Sequence, residues 1–159
     1  AGVFNGHAMG IPAGDIRGIV PLSIFIFHDD VLENFVQGMA HVDVAVGERG
    51  LIYAADTSNS KLMRMNESGR LERSWTIPRA NSLDGPHLAF DLFGNLYITD
   101  PEGGRVEKRD PSGEALGAWE LNTLLNRSVK AVGLAVGADG RIWVTDSQGG
   151  AVIVIEPEE

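Results

Sequence analysis

The sequence contains no cysteine, which removes disulfides, thiolate metal sites and a cysteine nucleophile together. It contains no basic run either, and 13 Lys and Arg against 22 Asp and Glu leave a formal charge of −9. Nucleic-acid binding is driven largely by cations that release counterions, so no nucleic-acid partner is expected. An anionic membrane surface is disfavoured for the same reason. Long apolar stretches are missing. The longest, IVPLSIFIF at 19–27, is interrupted by Pro21 and is far shorter than the roughly 20 residues a membrane helix needs. No membrane insertion by this segment is expected. No basic segment leads into an apolar one near residue 1, so no signal peptide is read there. The lack of disulfides leaves the compartment open, and the reading leans to an extracytoplasmic one.

Sustained helical spacing is absent as well. The nearest stretch, WELNTLLNRSV at 119–129, is expected to make one turn between larger units. There is no serine elbow, no phosphate-binding loop and no HExxH motif.

What the chain does contain is glycine, 20 residues of it, and a phrase written three times. GLIYAAD (50–56), GNLYITD (94–100) and GRIWVTD (140–146) share a glycine, an alternating apolar run with an aromatic, and a closing aspartate. Gly50, Gly94 and Gly140 are 44 and 46 residues apart, and Asp56, Asp100 and Asp146 repeat the same two spacings. The register extends upstream to Ala45, Ala89 and Ala135. Downstream it reaches Leu62, Val106 and Val152, and the pair Trp75 and Trp119. NESG (66–69) and DPSG (110–113) are matching tight turns.

Each unit reads as four short strands; for the second they fall near 87–91, 95–100, 104–109 and 115–120. A period near 44 with four strands per unit is the signature of a β-propeller blade. The fold class expected is therefore all-β, a propeller of four-stranded antiparallel blades. Residues 1–40 form a degenerate partial blade, 41–82 and 83–128 are complete blades, and 129–159 is a blade lacking its fourth strand. SIFIFHDDVLENF (23–35) has the pattern of a third and fourth strand, and AGVF (1–4) is a candidate for the missing strand through overlapping closure. Four full blades at this period exceed 159 residues. A part of a larger propeller is expected, with remaining blades or a second copy completing the ring. Within the phrase, Ile142, Trp143 and Val144 are expected to fill a blade's core.

Two stretches carry a family resemblance. LAVGADGRIWVTDSQGGAVIVIEP (134–157) and HLAFDLFGNLYITDPEGGRVEKRDPSG (87–113) resemble the NHL-repeat propellers, within the SMP/gluconolactonase-like six-bladed propeller superfamily. The resemblance covers about residues 41–157. It implies a propeller fold and leaves function wide, since its members include sensors, scaffolds, RNA binders and enzymes with lactonase, lyase or esterase activity. The acidic charge departs from the RNA-binding branch.

The repeated aspartates are read as structural: a carboxylate after a strand accepts the N–H groups of the next turn, and every blade needs that. Candidate ligand contacts lie instead where the repeat fails, chiefly in RANSLDGPH (79–87). Asn81, Asp84 and His87 are candidates for a small ligand or a calcium ion, with Asp43 and His41 on the neighbouring unit. His41 and His87 lack a clear third ligand for zinc, and His87 is equivalent to Asp43, not to His41. The gluconolactonase-like resemblance implies a divalent ion held by Glu, Asn and Asp from several blades, of which this chain shows part. The leading expectation is a non-catalytic binding or scaffold module presenting its loops to a protein, glycan or small molecule. The alternatives are a metal-dependent propeller hydrolase or lyase, and a structural appendage of a larger bacterial enzyme.

Overall fold

The computed structural model describes residues 42–57, 59–78 and 84–156. The expected degenerate blade at 1–40, the strand candidate AGVF, and the residues His41 and Asn81 lie outside the described residues.

The described chain is a succession of short antiparallel strands. The first blade holds β1 (Val42–Val46), β2 (Ile52–Asp56), β3 (Lys61–Met65) and β4 (Leu71–Thr76). The second holds β5 (Leu88–Phe90), β6 (Leu96–Asp100), β7 (Arg105–Arg109) and β8 (Ala115–Glu120). A single helical turn, α1 (Leu121–Leu124), leads to the third, with β9 (Ala131–Val136), β10 (Ile142–Asp146) and β11 (Ala151–Ile155). Within each blade, every strand pairs with its neighbour in sequence. The sheets contain four, four and three strands. The propeller reading thus holds for the three units, and the helical stretch at 119–129 makes its one turn.

Turn chemistry explains the register. Gly50, Gly94 and Gly140 all sit at positive φ, +70°, +79° and +83°, a region closed to most side chains but open to glycine. In the other recurring turn Asn66 and Asp110 do the same work. The Asn66 side chain accepts the N–H groups of Ser68 and Arg70, and Asp110 accepts those of Ser112 and Glu114.

The core lies between blades, not within one. Tyr53, Ala55 and Leu62 of the first blade meet Leu88, Leu96 and Ile98 of the second. Tyr97 and Val106 of the second meet Ala131, Ile142 and Val144 of the third. The innermost strands β1, β5 and β9 are successive neighbours, which gives the arc its inner wall. This sandwiching explains why β6 is buried along its whole length while β10 alternates between buried and exposed. Strand β6 is covered on both faces, and β10 is covered on the face toward the second blade.

One expectation is corrected here. Ile142 and Val144 are core, but Trp143 is 42% exposed. Its counterparts Tyr53 and Tyr97 point toward the next blade and are shielded. Tyr53 meets Phe90 of the second blade edge-on at 5.0 Å and stacks on Trp75. Trp143 points out of the far face of the third blade, where no described residue covers it. Val152 is exposed although its counterparts Leu62 and Val106 are fully buried.

Candidate functional site

The repeated aspartates come first, because they set the blade ends. All three are buried. Asp56 accepts the backbone N–H of Asn59 at 3.1 Å and its side-chain amide at 2.7 Å. Asp100 accepts the Gly103 N–H at 2.9 Å and pairs with the Arg105 guanidinium at 3.1 Å. Asp146 accepts the N–H groups of Gln148 and Lys130 and the guanidinium of Arg127. Burial alone raises the Asp146 pKa, but these donors outweigh it and hold the group at about 2. Each of these aspartates has its oxygens committed to the chain around it.

The residues that fail to repeat gather at the end of the arc where the inner strands begin. Asp43 lies in β1, and His87 immediately precedes β5. Asp43 accepts the Leu88 N–H at 2.7 Å through Oδ2. The same oxygen lies 3.6 Å from His87 Nδ1. The His87 backbone is fixed in turn by Thr99, whose hydroxyl accepts its N–H at 2.8 Å and whose own N–H donates to the His87 carbonyl. Gly85 leaves room for the imidazole, since a Cβ there would crowd His87 Cδ2 at 2.9 Å. Asp84, in the turn before, forms an ion pair with Lys130 at the entrance to β9.

The electrostatics follow from these contacts. The Asp43 carboxylate facing Nδ1 raises the His87 pKa above its ordinary value. Partial burial opposes that rise, while the negative charges of Asp43 and Asp84 add to it. Burial pushes the Asp43 carboxyl up, yet His87 and the backbone N–H groups of Leu88 and Val44 bring it below its ordinary value. Asp84 raises Lys130 in the same way. Four polar groups from three blades thus form one connected strip.

Of the candidates read from the sequence, the structure brings Asp43, Asp84 and His87 together. Lys130 was missed. The available signal is positional: Asp43 and His87 occupy equivalent repeat positions, 44 apart, and Asp84 and Lys130 do too, 46 apart. Equivalent positions on consecutive blades are neighbours around the arc, so opposite charges there meet. Among the described residues no three His, Asp or Glu side chains converge closely enough to hold a metal ion. The Asp43 carboxylate lies beside His87, and the Asp84 carboxylate pairs with Lys130.

These features define a segment of β-propeller with a polar strip at one end of its inner strands. Neither the family models nor the curated proteins compared with the chain give a match. Solved structures do. Virginiamycin B lyase from Staphylococcus aureus, as a catalytically inactive histidine-to-alanine variant with quinupristin, matches with a TM-score of 0.56 at 16% identity over 76% of this chain and 42% of that one. A streptogramin B lyase matches with a TM-score of 0.55 at 18% identity over 72% of this chain and 39% of that one. A calcium-binding protein, regucalcin, from Agrobacterium tumefaciens matches with a TM-score of 0.51 at 18% identity over 71% and 44%. The likeness bears out the expected β-propeller fold. At such identities the likeness speaks to fold alone. The chain spans less than half the length of the structures it matches. Among the described residues no helix is long and apolar enough to cross a membrane.

Proposed function

We propose that the chain is part of a ligand-binding propeller, and that the strip Asp43, His87, Asp84 and Lys130 is its recognition surface. One observation carries the reading: unlike the aspartates present in every blade, these four groups occur once, and they meet across three blades at the same end of the inner strands. Asp43 faces Nδ1 of His87, which leaves Nε2 for a ligand. Half-exposed charged groups on rigid strand ends suit a small polar ligand such as a sugar, an organic acid or a peptide carboxylate. A thermal-shift screen of those classes tests it. A compound that stabilises the native chain and loses its effect in Asp43→Asn and His87→Gln supports the proposal. Compounds that stabilise all three chains equally, or none that stabilises any, reject it.

A second reading, a propeller hydrolase or lyase, is favoured by the way Asp43 orients and charges His87, an arrangement suited to proton transfer. Two of the similar structures are lyases, and in one of them a histidine-to-alanine variant is catalytically inactive. A metal in such an enzyme would draw ligands from beyond the described residues. Loss of lactone, ester or streptogramin turnover in His87→Ala, at unchanged Tm, is the outcome that would move the assignment to this reading.

A further inference from the structure

Asp43 binds two backbone N–H groups, one on each of two blades. Its Oδ1 accepts the N–H of Val44 at 3.0 Å, and its Oδ2 accepts that of Leu88 at 2.7 Å. Both donors need such an acceptor for a topological reason. Strands β1, β5 and β9 each end their sheet. Along an antiparallel strand, successive residues turn their N–H groups alternately toward the paired strand and away from it. His87 and Thr99 bond to each other across the second blade, so the next N–H, that of Leu88, leaves the free side of β5. A donor there is satisfied only by a side chain, a ligand or water.

The third blade has the same geometry and a different chemistry. Val44 lies opposite Ala54, Leu88 opposite Ile98 and Leu134 opposite Val144. The three residues are 44 and 46 apart, so the Leu134 N–H leaves the free side of β9 as that of Leu88 leaves β5. A carboxylate could reach it from two places. One is the residue before it, as Asp43 reaches Val44. The other is the equivalent residue of the preceding blade, as Asp43 reaches Leu88. The first place holds Gly133 and the second His87, and neither can supply a carboxylate. Both places lie within the described residues, and among those residues no side chain accepts the Leu134 N–H. The donors of the strip flank this gap in the fold, His87 at the matching position of the preceding blade and Lys130 at the entrance to β9. The strip's own carboxylates are engaged elsewhere, Asp43 by two N–H groups beside His87 and Asp84 by Lys130.

Taking the strip as a binding surface, the reading proposed above, we infer that its ligand carries a carboxylate, which accepts the Leu134 N–H in the place that Asp43 fills for Val44 and Leu88. The first blade shows the bound form with a carboxylate of the chain itself. The third blade presents the same donor with that carboxylate removed. Charge selects the ligand class, because a backbone N–H bonds a carboxylate roughly twice as strongly as it bonds a neutral oxygen.

The test uses the whole chain labelled with 15N-leucine; Leu134→Ile removes, and so assigns, the resonance of interest. In the free chain the Leu134 amide is expected to exchange with solvent faster, by about tenfold or more, than the Leu88 amide that Asp43 protects. The probe is succinate, with succinamide as its neutral counterpart. Succinate should move the Leu134 amide saturably and slow its exchange, and succinamide should do neither. His87→Asp returns the carboxylate that the first blade has. It should slow Leu134 exchange with no ligand present, and weaken succinate binding by about tenfold, equivalent to roughly 1.4 kcal/mol. The resonance of Leu62, fully buried in the core, reports that this variant is folded, and the comparison of succinate with succinamide needs no variant. A Leu134 amide as slow as that of Leu88 in the free chain overturns the inference, because the chain then supplies its own acceptor. Equal binding of succinate and succinamide, no succinate effect at Leu134, or unchanged Leu134 exchange in folded His87→Asp does the same. The broader reading fails separately: a neutral sugar that stabilises the chain through Asp43 and His87 and leaves Leu134 unmoved keeps the strip as a binding surface and removes only the carboxylate.

Discussion

Asp43 Oδ2 accepts the backbone N–H of Leu88 at 2.7 Å while lying 3.6 Å from Nδ1 of His87. One carboxylate thus ties the first blade to the second and sets the charge of the candidate site. Asp43→Asn keeps the amide contact possible and removes the charge. The His87 pKa, raised in the native chain, is expected to fall toward its ordinary value, as read from imidazole proton shifts in a pH titration. The sign for stability follows from the raised value. The His87 contribution is fully present below about pH 6.5 and is lost as pH rises through the folded pKa. Asp43→Asn should flatten that part of the stability profile. An unchanged His87 titration would break the proposed link.

Asp146 gives the opposite pH dependence. Its folded pKa of about 2 lies below the ordinary 3.8, so the stability it contributes is present above the ordinary value and is lost as pH falls through the folded one. Unfolding followed by circular dichroism from pH 5 to 2 should show Asp146→Asn losing the steepest part of the acid transition. Asp146→Ala, which leaves the Lys130 N–H without its acceptor, is expected to destabilise by about 1–3 kcal/mol at neutral pH, the usual cost of an unsatisfied buried donor.

The blades were legible because each must solve the same two local problems. Glycine is needed at the φ of +70° to +83° that turns β1 into β2 and its equivalents, and an aspartate is needed to bind the next turn. Those demands recur and print a period. The exposure of Trp143 was not legible, because the phrase cannot show which faces have a described neighbour. An aromatic at that position is core only where the following blade covers it. The candidate site was half legible. Asp84 and His87 stood out by failing to repeat, whereas Lys130 became meaningful only through its position opposite Asp84 on the next blade.

Gly113 tests how closely one blade's turn is fitted to its neighbour. It sits at φ +93° against the Trp75 indole, so Gly113→Ala incurs both left-handed backbone strain and a clash. A loss of about 1–3 kcal/mol is expected, measured by urea denaturation. Because the turn covers the Trp75 indole, Trp75 should also become accessible to acrylamide quenching. Gly150, also at positive φ (+60°) but with open space around it, isolates the strain, and Gly150→Ala should cost less and leave Trp75 shielded.

Two leucines separate core from surface. Leu62 in β3 is fully buried in the interface between the first and second blades, while Leu92 on the second blade is 70% exposed. Leu62→Ala removes methyl groups that no neighbour can replace, because the blades on either side are fixed by their own ladders. A cost of about 2–5 kcal/mol is expected, seen as a lower midpoint in urea with the slope retained. Leu92→Ala removes a side chain already in water. Its effect on the isolated chain should stay within roughly 0.5 kcal/mol. The two measurements together divide what holds the blades from what only borders water. A destabilisation by Leu92→Ala comparable with that of Leu62→Ala would show that Leu92 is a structural contact.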